Sequence, residues 1–278
     1  MNSFFKLLNF ELNRFMKLYI ALLITIAVIQ LIGTFVAAQK YMILVNNSFI
    51  KGGMNEKAFI EMYSTFSLID NAYSLWVLGP LAIGIALLII YIFFIWYRDW
   101  FAKNTFIYRL LMLPISRMNV FFAKAVTIML TMLGLIGMQI VLLYLEEKMV
   151  KWIVPKVFRV DLTVPEVISG VYQLSMILPE SFMEFLVTYS LVFAFIVVMF
   201  TAILFERSFK FKGIAIGILY IFCSISLFIL PVIVQFLLFG NLYLYPDELF
   251  FVEFFIWMVV VACSLLVSRY LLNRKVTV

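Results

Sequence analysis

The chain has no histidine, and so lacks the commonest metal ligand and the commonest acid–base side chain at neutral pH. Ordinary Ser–His hydrolytic pairs and histidine-built metal centres are thereby excluded. There is no Gly-x-x-x-x-Gly-Lys-[Ser/Thr] phosphate loop, so the chain does not bind ATP by that device, and no Gly-x-Ser-x-Gly elbow. Cysteine is nearly absent. Cys223 and Cys263 both lie inside apolar runs and read as small core residues, not as a disulfide or metal pair. Charge is scarce at 13% of 278 residues. No ionisable residue falls near the middle of a long apolar run, where a proton relay would need one. Lys124, Glu184 and Glu253 fall near run ends, where side chains reach headgroups. No enzyme, metal or cofactor is expected of this chain.

What is abundant is apolar side chain, at 66% of residues, including 31 phenylalanines. A soluble domain of this length could not hide so much, and the bilayer is the expected solvent. Six apolar runs are long enough to span it, near 18–38, 73–97, 120–145, 182–205, 213–239 and 250–271. Pro231 lies in the fifth and predicts a kink or a turn back at that point. The expectation is an all-α polytopic membrane protein with six transmembrane helices, residues 1–278 forming one domain.

Basic residues orient the chain. With the N-terminus inside, the cytoplasmic segments hold fourteen of the 21 cations, among them Lys6, Arg14, Arg98, Arg117, Lys124, Arg207, Lys210 and Arg274, against the acids Glu11, Asp99 and Glu206 alone. Both termini are expected in the cytoplasm. The net charge of +6 belongs to this bias and to anionic lipid, not to nucleic acid. No cleaved signal peptide is expected, because the first apolar run exceeds an ordinary signal core.

Residues 1–17 read as an interfacial amphipathic helix, with Phe4, Phe5, Leu8, Leu12, Phe15 and Met16 on one arc and Lys6, Asn9, Asn13 and Lys17 opposite. A frayed tail is the alternative, because Glu11 intrudes near the apolar edge. The segments 39–72 and 146–181 read as outer loops with solvated faces of mixed charge. Thr25, Gln30, Thr34, Thr127, Thr131, Gln139, Thr188, Ser190, Thr201, Ser224, Ser226 and Gln235 lie inside the runs. Most of them read as interhelical hydrogen-bond glue.

Between the second and third runs lies a polar island, Arg98–Val120. Four cations, Arg98, Lys103, Arg109 and Arg117, and one acid, Asp99, sit among aromatic and aliphatic side chains. Residues 106–113 suit a short amphipathic helix, with Phe106, Ile107, Leu110, Leu111 and Leu113 on one arc. Pro114 stops it, and Ser116 is placed to cap the next helix. Taken alone, this reads equally well as a connector lying on the membrane surface.

The order of amphipathic prelude, span, loop, span, Arg98-Asp99, the stretch Tyr108–Arg117 with Leu113-Pro114-Ile115-Ser116-Arg117, then Ala123-Lys124 and a third span resembles the permease subunits of type-2 ATP-binding-cassette exporters. The resemblance implies a cytoplasmic coupling helix seated on a separate ATPase subunit. Arg98, Asp99, Lys103, Phe106, Arg109, Leu110, Pro114 and Arg117 would make the contact. Many members carry Glu followed soon by Gly before that helix; here Asp99 stands there and no glycine follows. The resemblance further implies two ATPase partners and a second permease, identical or related, in a bacterial cell membrane. The weakly polar runs point to an amphipathic cargo, a peptide or a lipid. The competing expectations are a membrane scaffold or assembly factor and an ion channel, for which there is no filter-like sequence.

Overall fold

The computed structural model describes residues 2–53, 55–101, 110–112, 115–238 and 245–275. It is all-α. The helices are α1 (Asn2–Gly52), α2 (Glu56–Tyr63), α3 (Leu68–Ala72), α4 (Leu75–Phe101), α5 (Arg117–Ile153), α6 (Val164–Gly170), α7 (Tyr172–Ile177), α8 (Phe182–Leu238) and α9 (Pro246–Tyr270). A π-turn, Leu271–Lys275, continues α9. Five of them, α1, α4, α5, α8 and α9, are long and apolar enough to cross a membrane. The expected count of six is thus not confirmed.

The difference lies in α8, whose helical assignment runs through two of the expected spans. Lys210 has φ 53° and ψ −129°, outside helical geometry, and divides α8 into two limbs. The limbs fold back on each other. A Cβ on Gly213 would lie 2.0 Å from the carbonyl oxygen of Phe205, and one on Gly217 would lie 3.0 Å from that of Ala202. The rings of Phe205 and Tyr220 meet at a tilt across the same seam, 5.7 Å apart. Each limb exceeds the roughly 20 residues a crossing needs. The break at Lys210 falls in the gap expected between the fourth and fifth runs, whereas the second limb passes through Pro231, where a kink or turn back was expected, as helix.

Helix ends follow local chemistry. α1 has no break at residue 17 or 38. It runs on to Gly52, because Ala37, Ala38, Gln39 and Lys40 favour helix. Gly53, with φ 56°, stops it in the left-handed conformation that glycine tolerates. At 51 residues and 1.5 Å per residue it is about 76 Å long, far beyond a hydrocarbon core of about 30 Å. The amphipathic prelude, expected as a separate interfacial helix, is thus continuous in helical assignment with the first span. α5 starts at Arg117, directly after Ser116. It outlasts the expected end at 145, and the Arg159 guanidinium donates to the carbonyls of Lys151 and Val154 in its last turn. α9 opens on Pro246, with the Tyr245 N–H donating to Glu248 Oε2 at 3.0 Å.

The chain forms two compact units. One comprises Asn13–Leu88 and Leu130–Leu186. In it α1, α4 and α5 are joined by buried polar groups. Gln30 Nε2 donates to the Val77 carbonyl at 3.0 Å and to Gln139 Oε1 at 3.1 Å; the Tyr19 hydroxyl donates to the Thr131 carbonyl at 2.8 Å. Asn71 Nδ2 donates to Thr34 Oγ1 at 2.9 Å. The glue reading holds for Gln30, Thr34 and Gln139. Thr25 and Thr127 instead bond carbonyls of their own helices.

The two long loops are not separate solvated faces in this unit. Phe66 and Arg159 form a parallel bridge, with Phe66 N–H donating to Phe158 O at 2.8 Å and Val160 N–H to Phe66 O at 3.0 Å. Phe59, fully buried, packs among Tyr41, Phe49, Tyr63 and Phe158. Beside this cluster the Arg159 hydrogen bond lowers the pKa of the Asp161 carboxyl. The backbone N–H of Thr163, and then its hydroxyl, lower that of Glu166.

The other unit comprises Met1–Leu12, Ile89–Met129 and Val187–Val278. Its centre is three rings, Trp96, Phe121 and Phe200, edge to face at 5.4 and 5.3 Å. All three are fully buried. Thr201, Ser264 and Ser268 supply its buried hydroxyl contacts between α8 and α9.

Candidate functional site

The polar island is anchored at its two ends within this second unit. Before it, the last turn of α4 carries Arg98 and Asp99; after it, the second turn of α5 carries Lys124. The Lys124 ammonium has no solvent exposure. It donates to Asp99 Oδ2, to Glu11 Oε1 at 2.7 Å and to the Ile95 carbonyl at 3.1 Å. The Trp96 ring centroid lies 5.4 Å away. Three donors on one ammonium are thus spent on three acceptors. Arg98 closes the set, with Nη2 at 2.8 Å from Glu11 Oε2 and Nε at 4.0 Å from Asp99 Oδ1. Two carboxylates and two cations balance. Charge of this kind is tolerated away from water only when paired and hydrogen-bonded, as here.

The elements place these groups for simple reasons. On α1 the buried stripe is Leu7, Glu11, Phe15 and Tyr19, at helical spacing, so Glu11 is at the centre of the packed face and not at its edge. On α4 Ile95, Trp96 and Asp99 share one buried face, at i, i+1 and i+4. Lys124 does not snorkel to a headgroup. It is flanked by the buried Phe121, Ala125 and Ile128 and meets two carboxylates before water.

Further contacts tie the same stem to the rest of the unit. The Tyr97 hydroxyl donates to Glu206 Oε2. The Arg207 guanidinium lies over the rings of Tyr97, Phe101 and Trp100, at 4.7, 4.7 and 5.5 Å. These two residues stand just before the turn of α8, so the end of α4 grips the hairpin. Arg117, at the start of α5, donates to the Leu272 carbonyl in the π-turn after α9.

Of the residues expected to couple, the structure thus brings Arg98 and Asp99 into the buried cluster and sets Arg117 against the π-turn after α9. Leu110 and Leu111 are buried within the chain, and Met112 beside them is 70% exposed. Lys103, Phe106, Arg109 and Pro114 lie outside the described residues. Sequence reasoning missed Glu11, Lys124, Tyr97, Glu206 and Arg207. The available signal was a lone acid on an apolar arc and a lone lysine in an apolar run, each of which needs a partner. Among the described residues no group of acids and cysteines is placed to hold a metal ion.

Comparisons with protein-family models, curated proteins and solved structures find no match and identify no family.

Proposed function

We propose that the chain is the membrane-spanning subunit of an ATP-driven exporter of the type-2 ATP-binding-cassette class, driven by separate ATPase subunits through the segment between α4 and α5. One observation carries the reading: that segment is stapled at its base by Asp99 and Lys124, and the staple also holds Glu11 of α1. A displacement at the segment reaches α1 through Glu11, the α8 hairpin through Tyr97, Glu206 and Arg207, and the end of α9 through Arg117. A passive connector needs no buried ions, and side chains of this kind within membrane helices mark working sites. The five long apolar helices suit the multi-pass location this function requires.

In the mechanism, the ATPases bind nucleotide, close on each other and contact residues 98–117 differently in their two states. Only such a difference can shift the permease between two accesses. Because Lys124 holds both Asp99 and Glu11, α4 and α5 move as one body at this level. The contact is proposed at the exposed Met112 and at Lys103 and Arg109. A second permease copy, or a related one, completes the pathway, and the cargo is amphipathic.

The test is affinity purification of the full chain in mild detergent, with mass spectrometry of what accompanies it, followed by reconstitution. A nucleotide-binding ATPase copurifies, and Arg109→Glu and Met112→Asp weaken the association at normal protein level. Efflux requires ATP and the ATPase, and persists when the proton gradient is collapsed. Gradient-driven movement by the chain alone overturns the reading. Absence of any ATPase partner leaves the scaffold.

A further inference from the structure

Between the first limb of α8, its second limb and the first turns of α9 lies a cavity of about 150 Å³. Phe250, Phe254 and Trp257 line it from α9, and these rings stack in sequence, Phe250 on Phe254 at 6.4 Å and Phe254 on Trp257 at 5.6 Å. Glu253, on the same helix, is the one ionisable residue in the lining. It makes no hydrogen bond or ion pair among the described residues. The other polar groups at the cavity are spent. Trp257 Nε1–H donates to the Ser190 carbonyl at 3.0 Å, and Ser190 Oγ donates to the Val187 carbonyl at 2.7 Å.

A second cavity, of about 230 Å³, lies beside it between the two limbs, with Leu191 and Phe228 in both linings. Its wall is aliphatic and aromatic apart from Ser224, whose hydroxyl is donated to the Tyr220 carbonyl. The pair therefore has one polar end, which is anionic and ringed by aromatic faces, and one apolar end.

We propose that these adjacent cavities together bind a cationic amphiphile, its ammonium head beside Glu253 and the ring faces, and its hydrocarbon tail running past Leu191 and Phe228 between the limbs of α8. Each part of the occupant answers a feature of the wall. Aromatic faces attract a cation through their quadrupole, and a carboxylate at low dielectric strengthens that attraction. An anionic head would meet Glu253 with like charge and find no free donor, because both the Trp257 and Ser190 donors are engaged. The apolar cavity removes the tail from its surroundings without asking for a hydrogen bond. The site is made by α8 and α9 alone and does not rest on the exporter reading: a scaffold with these helices would bind the same molecule.

The experiment uses the purified full chain in a neutral maltoside detergent. The probes are two single-chain amphiphiles with the same brominated dodecyl tail, one headed by trimethylammonium and one by sulfate. Bromine quenches tryptophan fluorescence on contact, and Trp257→Phe isolates the contribution of that ring among the five tryptophans. The ammonium probe quenches saturably, the effect shrinks in Trp257→Phe, and the sulfate probe does not compete. Glu253→Gln weakens the ammonium probe about tenfold, the loss expected for one charge-assisted contact. Leu191→Trp fills the shared wall and abolishes saturable quenching. Equal quenching by the two probes on the unmodified chain overturns the proposal, whatever the variants do. So does unchanged ammonium affinity in a Glu253→Gln protein that elutes normally.

Discussion

Replacing Lys124 by Met removes a fully buried ammonium while keeping most of the side chain's volume. What remains is Glu11, Asp99 and Arg98, with one negative charge in excess. Arg98 still holds Glu11 at 2.8 Å, but its nearest nitrogen is 4.0 Å from Asp99. Asp99, without solvent exposure, loses the ammonium that pairs with it. Breaking a buried pair in this way costs about 3–5 kcal/mol. The lost contact with the Trp96 ring adds a smaller amount. Asp99→Asn in the same background removes the carboxylate that lost its ammonium and leaves the Glu11–Arg98 pair in place. The double variant should therefore recover roughly 1.5–3 kcal/mol relative to Lys124→Met, where the coupling ranges for contacting residues and for close charged pairs overlap. The assay is reversible unfolding in mixed micelles by added dodecyl sulfate, followed by far-ultraviolet circular dichroism, on the single variants, the double variant and the parent. A Lys124→Met protein within about 1 kcal/mol of the parent refutes the argument, because a buried ion cannot lose its counterion at so small a cost. So does a double variant no more stable than that single one.

The hairpin in α8 makes a sharper prediction. Gly213→Ala puts a Cβ 2.0 Å from the Phe205 carbonyl and should abolish folded protein on size-exclusion chromatography, whereas Gly137→Ala, where nothing lies within 4 Å, should elute as the parent does. The orientation read from the basic residues is checked in a Cys223→Ser, Cys263→Ser background. Single cysteines at Asn46 and Val157 should label from outside intact cells, and those at Ser3 and Asn104 should not. Labelling at Asn104 from outside overturns the orientation.

The long apolar helices were legible because length and composition suffice to find them. Their faces were not. In a soluble protein the buried stripe of a helix is apolar and the sequence displays it. Here lipid takes the apolar side chains and the packed stripe of α1 mixes Glu11, Gln30 and Thr34 with Leu7, Ile26 and Ala38. Polarity no longer marks outside, so Glu11 reads as an intrusion when it is a centre. Lys124 was misread for a related reason: position along a run predicts snorkelling, but only the neighbouring helices decide whether a carboxylate is nearer than a headgroup. The reversal in α8 was legible, because Lys210 lies in the polar gap 206–212 between the fourth and fifth runs. The additional kink or turn at Pro231, expected on proline chemistry, is not where the helix breaks. The island's cations were legible as a group. That its stems close on each other required two side chains on different helices to be seen together.

The bridge between Phe66 and Arg159 sets an order of events during synthesis. Phe59 and Phe66 emerge early, but Phe158 and Val160, which complete their surroundings, are made only after α4 and α5. At roughly 5–20 residues per second the interval is on the order of ten seconds. For that time the α2 segment carries an unfinished aromatic cluster, and a ribosome paused between α4 and α5 would prolong its exposure to proteases and to other nascent chains. Codon usage across α4 and α5 thus bears on a structure that neither helix contains.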